Sequence, residues 1–180
     1  YLETIADFCV NNTNLNIVAS LQTGDISNNN FVWQYENAWN HFFNIFPIDN
    51  QPIFCLGNHD YGNYGLCDKR ICNLPEKMRP YSDISMEGSA WDNYVRFIDF
   101  NSAEYAVLVL EFAPRDVALE WAETIIKNYS NTPFILLMHG FLNNMGAIFD
   151  YTNPSCNQTF SQKEYPMGEE YVNDSMEIFN

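Results

Sequence analysis

The chain has 180 residues, of which 47% are hydrophobic and 16% aromatic, a composition that buries a core rather than staying disordered. It carries 23 acidic against 8 basic residues, a formal net charge of -15 at pH 7, which argues against a nucleic-acid backbone or an anionic lipid surface as partner. No apolar run approaches the roughly 20 residues that span a bilayer, and the length suits one domain covering 1–180.

Helical and extended patterns alternate along the chain. Tyr1 to Val10 reads as a helix already under way that ends near Asn11. The apolar run Leu15 to Leu21 predicts a strand leading into Gly24-Asp25. A helix follows, with Asn30 as its expected N-cap and Tyr35, Ala38, Trp39, Phe42, Phe43 and Phe46 at helical spacing, stopped by Pro47. Pro52 to Leu56 predicts a buried strand that runs into Gly57-Asn58-His59-Asp60. Tyr61 to Trp91 is a long irregular stretch, a length uncommon unless functional.

The runs Tyr94 to Phe100 and Glu104 to Phe112 read as an antiparallel hairpin turning at Asn101-Ser102. Asp116 is placed to cap a helix over Val117 to Tyr129, and Phe134 to Met138 predicts a strand ending in His139-Gly140. Asn143 to Pro166 is loop-like, and Glu169 to Asn180 reads as a helix just beginning. The order predicts a layered, mixed α/β domain, expected to be part of a longer one.

Three predicted strands end in chemistry-bearing residues, and ligands of open α/β sheets bind beyond the carboxyl ends of strands. Asp25 offers a carboxylate suited to bridging two hard cations, Asn58 a neutral amide oxygen, and His139 an imidazole. His59 is a second imidazole at a strand tip, and Asp60 is expected to orient it. His41 lies among phenylalanines in the middle of a predicted helix and is read as structural.

Five cysteines, an odd number, give no complete disulfide framework. Cys9 and Cys55 read as small buried hydrophobes, whereas Cys67 and Cys72 share a loop and are placed to close a local disulfide. With the sequons at Asn11, Asn128, Asn157 and Asn173, these loop cysteines lean the reading towards the secretory pathway.

The set Gly24-Asp25, Gly57-Asn58-His59-Asp60 and His139-Gly140, in that order and each after an apolar strand, resembles the calcineurin-like metallophosphoesterase superfamily. The Gly-Asn-His-Asp tetrad is its most specific motif. Asn93-Tyr94, Glu104 to Phe112, Leu119-Glu120-Trp121-Ala122 and Met138 to Leu142 extend the likeness over nearly the whole chain, towards a microbial-type subgroup. The resemblance implies an α/β/β/α sandwich with mixed sheets and a centre of two divalent ions, which oxygen and imidazole ligands would suit to manganese, iron or zinc, and less well to magnesium.

It further implies that Asp25 bridges both ions and that Asn58 and His139 bind the second. His59 would serve as phosphate-binding residue and general acid, held by Asp60, while a bridging hydroxide attacks phosphorus in line. The substrate would be a phosphorylated small molecule or a phosphoprotein. The family's opening Asp-x-His and closing Gly-His-x-His are not in this sequence, so the segment alone is expected to bind metal poorly and to hydrolyse little. Asn28 stands where the family's Gly-Asp-x-x-Asp has its last carboxylate. A second reading is a secreted binding or scaffold domain that keeps this fold without its chemistry. The intact Asn58, His59, Asp60 and His139 favour the enzyme. Neither a Gly-x-Ser-x-Gly elbow nor His-Glu-x-x-His occurs, so serine hydrolases and zincins lack support.

Overall fold

A computed structural model describes residues 2–47, 50–89, 91–143, 145–153, 165 and 172–178, and within them the chain forms a mixed α/β arrangement of two sheets with flanking helices. The smaller sheet is β1 (Leu21–Gln22) paired in parallel with β2 (Ile53–Phe54). The larger has the order β3 (Ile84–Ser85), β4 (Tyr94–Phe100), β5 (Ala103–Val109), β6 (Phe134–Leu137). Its first three strands are antiparallel, and β6 runs parallel to β5. The helices are α1 (Leu2–Asn11), α2 (Val32–His41), α3 (Asp116–Asn128) and the short α4 (Ser175–Ile178). Among the described residues, no helix is long and apolar enough to cross a membrane.

Side-chain alternation along the strands sorts the core into three clusters. Phe54 and Leu56 point towards α1 and α2, where they join Ala6, Tyr35, Ala38 and Phe43. Ile53 and Cys55, on the other face of the same strand run, pack with Tyr94, Val107, Val109 and Leu137 from the larger sheet. The far face of that sheet presents Val95, Ala106, Leu108 and Leu110 to Ala122 and Ile125 of α3. Tyr94 ties the two sheets with more than apolar contact. Its hydroxyl donates to the Phe54 carbonyl at 2.7 Å and accepts from the Phe54 amide at 3.1 Å, satisfying the backbone of β2.

The hairpin, α3 and β6 fall where the pattern placed them. Asn101 and Ser102 both take positive φ, 51° and 63°, the geometry of a two-residue turn whose twist matches the strands it joins. The α3 helix starts at Asp116 itself, with Arg115 in the cap position, so the carboxylate lies in the first turn, where the helix dipole favours it. The run Leu15 to Leu21 pairs only at its end. Thr13–Leu15 closes a 3-10 turn, Asn16 adopts φ 49°, and ladder bonds begin with the Ile53 amide on the Ser20 carbonyl. Ile17 and Val18 therefore stay partly exposed.

Two further expectations change. Asn30 does not cap α2. It sits at φ 56°, buried, and its amide instead spans the long loop, donating to the Gly62 and Ile71 carbonyls while its oxygen accepts from Tyr35 and from the Asn73 amide. Cys67 and Cys72 are free thiols, not a disulfide. Both are pushed up to about 12, chiefly by burial, and Cys72 Sγ lies 3.4 Å from the Tyr35 hydroxyl. His41 is the last residue of α2 rather than mid-helix and is exposed, with its Nδ1 2.6 Å from Glu3 of α1. Asn173, one of the sequon asparagines, has its side-chain amide tied to the Pro114 carbonyl and to Asp116, while Asn157 and the start of the predicted last helix lie outside the described residues.

Beyond β5 the chain continues through Leu110 to Glu111, a fully buried carboxylate. Arg115 reaches it through Nε and Nη2, both at 2.9 Å, and Asn93 donates to it at 2.8 Å. Arg70, from the long loop, comes within 3.6 Å and donates to the Phe112 and Ala113 carbonyls. Burial alone would raise the Glu111 pKa, but the Arg115 bonds and the Arg70 charge outweigh it and hold the carboxyl below its usual range. A folded-state pKa depressed in this way adds stability above the unfolded value of about 4.5 and loses it as pH falls through the lower folded value. Glu111→Gln removes the buried negative charge that Arg115 and Arg70 face, so at pH 7 it should cost about 3 kcal/mol of unfolding free energy. Denaturant titrations at pH 7 and pH 3.5 should show the gap to the parent protein narrowing in acid.

Candidate metal centre

Asp25, Asn58 and His139 come from three separate strand ends and meet. The His139 Nε2 lies 3.1 Å from the Asn58 side-chain oxygen and 3.6 Å from Asp25 Oδ2. The other ring nitrogen, Nδ1, is 2.6 Å from the Thr23 carbonyl. A carbonyl only accepts, so Nδ1 carries the proton and donates to it. That bond fixes the ring's tautomer and turns Nε2 towards the two oxygens. The Phe112 ring packs against the imidazole with centroids 5.7 Å apart, bounding its face.

Two glycines make this approach possible. A Cβ on Gly24, which also adopts φ 98°, would sit 2.6 Å from His139 Nδ1. One on Gly57 would strike the Asp25 carboxylate and lie 2.5 Å from the Asp25 amide. Asp25 itself adopts φ 54°, a left-handed conformation that non-glycine residues enter rarely and that clusters at functional sites.

A reciprocal latch holds the loop after β1 against the turn after β2. Asp60 is buried, and its carboxylate accepts the amides of Gly57 at 2.9 Å, Ser27 at 2.8 Å and Ile26 at 3.1 Å. In the other direction, Asp25 Oδ1 accepts the His59 amide at 3.0 Å, and the Ser27 hydroxyl donates to the His59 carbonyl. Burial raises the Asp60 carboxyl above the ordinary aspartate range, and the three amide donors draw it part of the way back.

Asp60 therefore anchors loops, and the expectation that it holds the His59 ring is corrected. The partner of His59 Nδ1 is the Asn28 carbonyl, at 2.9 Å. By the same logic as at His139, Nδ1 donates to that carbonyl and Nε2 is left free to exchange a proton. Asn28 thus acts through its backbone, and its side chain turns to Asn29, so a carboxylate is not required at that position for this contact. The carbonyls of Thr23 and Asn28 carry no signature in residue type, so sequence reasoning could not have found them. Phe112 and the buried Glu111 were legible only as strand residues.

A carboxylate oxygen, an amide oxygen and an imidazole nitrogen converge here, a donor set of the kind that suits a divalent cation. The Asp25 and His139 side chains are both partly exposed, at 36% and 23%, which leaves an ion a way in. Among the described residues, no group of three His, Cys, Asp or Glu side chains stands together to hold an ion, and the third donor here is the Asn58 amide oxygen. No protein-family model matches the chain, and no curated protein or solved structure matches it.

Asp60→Asn tests the latch. An amide group offers one acceptor oxygen and would turn its NH2 against at least one of the three backbone donors. The unfolding free energy should fall by about 1–3 kcal/mol in a denaturant titration, and hydrogen exchange of the Ile26, Ser27 and Gly57 amides should speed up while that of β5 stays slow.

Proposed function

We propose that this chain forms the core of a metal-dependent phosphoesterase of the calcineurin-like kind, built as an α/β/β/α sandwich. The single observation that carries the reading is the convergence of Asp25, Asn58 and His139 from three strand ends, with His139 locked in the tautomer that presents Nε2. The layering agrees. One cluster lies between α1, α2 and the smaller sheet, a second between the sheets, and a third between the larger sheet and α3.

Asp25, Asn58 and His139 would hold one divalent ion, of which manganese, iron and zinc suit the donors best. When bound, such an ion supplies Lewis-acid polarisation of a phosphoryl oxygen and makes bound water acidic near neutral pH. His59 stands beside this point, fixed through its backbone amide on Asp25 and through Nδ1 on Asn28. Its Nε2 gives a proton to the leaving oxygen as the phosphorus–oxygen bond breaks and that oxygen takes the bonding pair. Water supplies the oxygen that ends on phosphorus, so no covalent enzyme intermediate is required. A second ion would need donors beyond the three gathered here.

The roles separate experimentally. His139→Ala or Asn58→Ala should weaken manganese binding by about 10–100-fold in calorimetric titration. In a chain that also carries the family's Asp-x-His and Gly-His-x-His segments, His59→Ala should leave that affinity unchanged while reducing hydrolysis of an alkyl phosphate ester by about 10²–10⁴-fold. Manganese affinity unaffected by His139→Ala would overturn the metal assignment, and unchanged turnover in His59→Ala would remove the general acid.

A further inference from the structure

The buried ion cluster beyond β5 is not used by the chemistry above, yet its place in the chain ties it to the metal donors. β5 and β6 run side by side in parallel, with Val109 opposite Leu137 and the Leu110 amide on the Leu137 carbonyl at 3.1 Å. Two residues further along the two strands stand Phe112 and His139, whose rings meet with centroids 5.7 Å apart and 59° between planes. Phe112 is buried, and its ring also meets that of Tyr165 edge-on at 5.4 Å.

A buried ion cluster is a poor source of net stability, because desolvation of the charges offsets their attraction. What this one supplies is geometry. Arg70 donates through Nη1 to the Phe112 carbonyl at 3.0 Å and through Nη2 to the Ala113 carbonyl at 2.5 Å. Ala113 adopts φ 48°, a strained conformation for a residue with a Cβ, and the peptide groups on its two sides are the ones that Arg70 binds. Glu111 fixes the rest of the turn. Its amide donates to the Asn93 side-chain oxygen at 3.1 Å, and its carboxylate accepts the Arg115 amide at 2.9 Å. The Arg70 guanidinium in turn lies over the buried Tyr61 ring, 6.0 Å from its centroid.

Resting on the reading in which His139 presents Nε2 to a divalent ion, we infer that Phe112 is a positioning residue of the metal centre, braced by Arg70 and Glu111, and that its ring keeps the His139 imidazole aligned with Asp25 and Asn58. The hydrogen bond from Nδ1 to the Thr23 carbonyl sets which nitrogen carries the proton, but a ring can still tilt about such a bond. The Phe112 ring blocks that tilt on the face it covers.

Nitrogen-15 NMR of the metal-free protein at about pH 8.5, where an ordinary imidazole is neutral, reads the tautomer of each histidine apart from any activity. In the parent protein, His139 should carry its proton on Nδ1. Phe112→Leu keeps apolar bulk in the core but removes the ring, and Arg70→Met keeps the stem but removes both carbonyl bonds. Circular dichroism checks that each variant folds. In both, the two His139 nitrogen resonances should move towards each other as the tautomers mix, and manganese affinity should fall about tenfold. His59, with Nδ1 on the Asn28 carbonyl, is the internal reference and should keep its parental shifts. Parental His139 shifts or parental manganese affinity in both variants, or His59 shifts that move as far as those of His139, would overturn the positioning role and leave the phosphoesterase reading standing. Manganese affinity that His139→Ala leaves unchanged would overturn that reading, and the positioning role with it.

Discussion

The Asp60 carboxylate is the constraint on which the site depends. Its two oxygens take three backbone amides, from Gly57, Ser27 and Ile26, and so close the turn after β2 upon the loop after β1. Asp25 returns the link by accepting the His59 amide. Asp25 and His59 therefore sit on two loops that are bound to each other. A buried carboxylate without such donors would be costly, and its three amides would be equally costly if left unmet. The arrangement is favourable only when both loops are in place, which couples the geometry of the site to its folding.

Support for the latch comes from further out. Asn30 fastens the long loop to the base of α2, and Arg70 reaches from that loop to the Phe112 and Ala113 carbonyls and to Glu111. Phe112 in turn packs on His139. The irregular stretch from 61 to 89 is thus held by these polar contacts together with Tyr61, Cys67, Leu74 and Met78, which join the core cluster of α1 and α2.

Elements with a strong period were legible in the sequence, and those fixed by polar contacts were not. The hairpin at Asn101-Ser102, the apolar stripe of α3 and the β6 run all follow from alternation or helical spacing backed by burial. Leu15 to Leu21 misled because an apolar run does not reveal whether a partner strand lies beside it, and here a left-handed Asn16 delays pairing until Ser20. At the site, Asp25, Asn58 and His139 were named from their places after strands, and the structure brings them together. Asp60 was named for the wrong contact, because adjacency to His59 in sequence says nothing of which way a carboxylate turns in a tight turn. Asn30 has the residue type of an N-cap, but its amide meets three partners of a distant loop and the Tyr35 hydroxyl of α2 instead.

Anomalous diffraction from crystals soaked in manganese tests the central claim most directly. One peak is expected, bounded by Asp25 Oδ2, the Asn58 side-chain oxygen and His139 Nε2, with His139 Nδ1 still on the Thr23 carbonyl. Manganese bound away from these three atoms, or held through a His139 ring turned to present Nδ1, would contradict it.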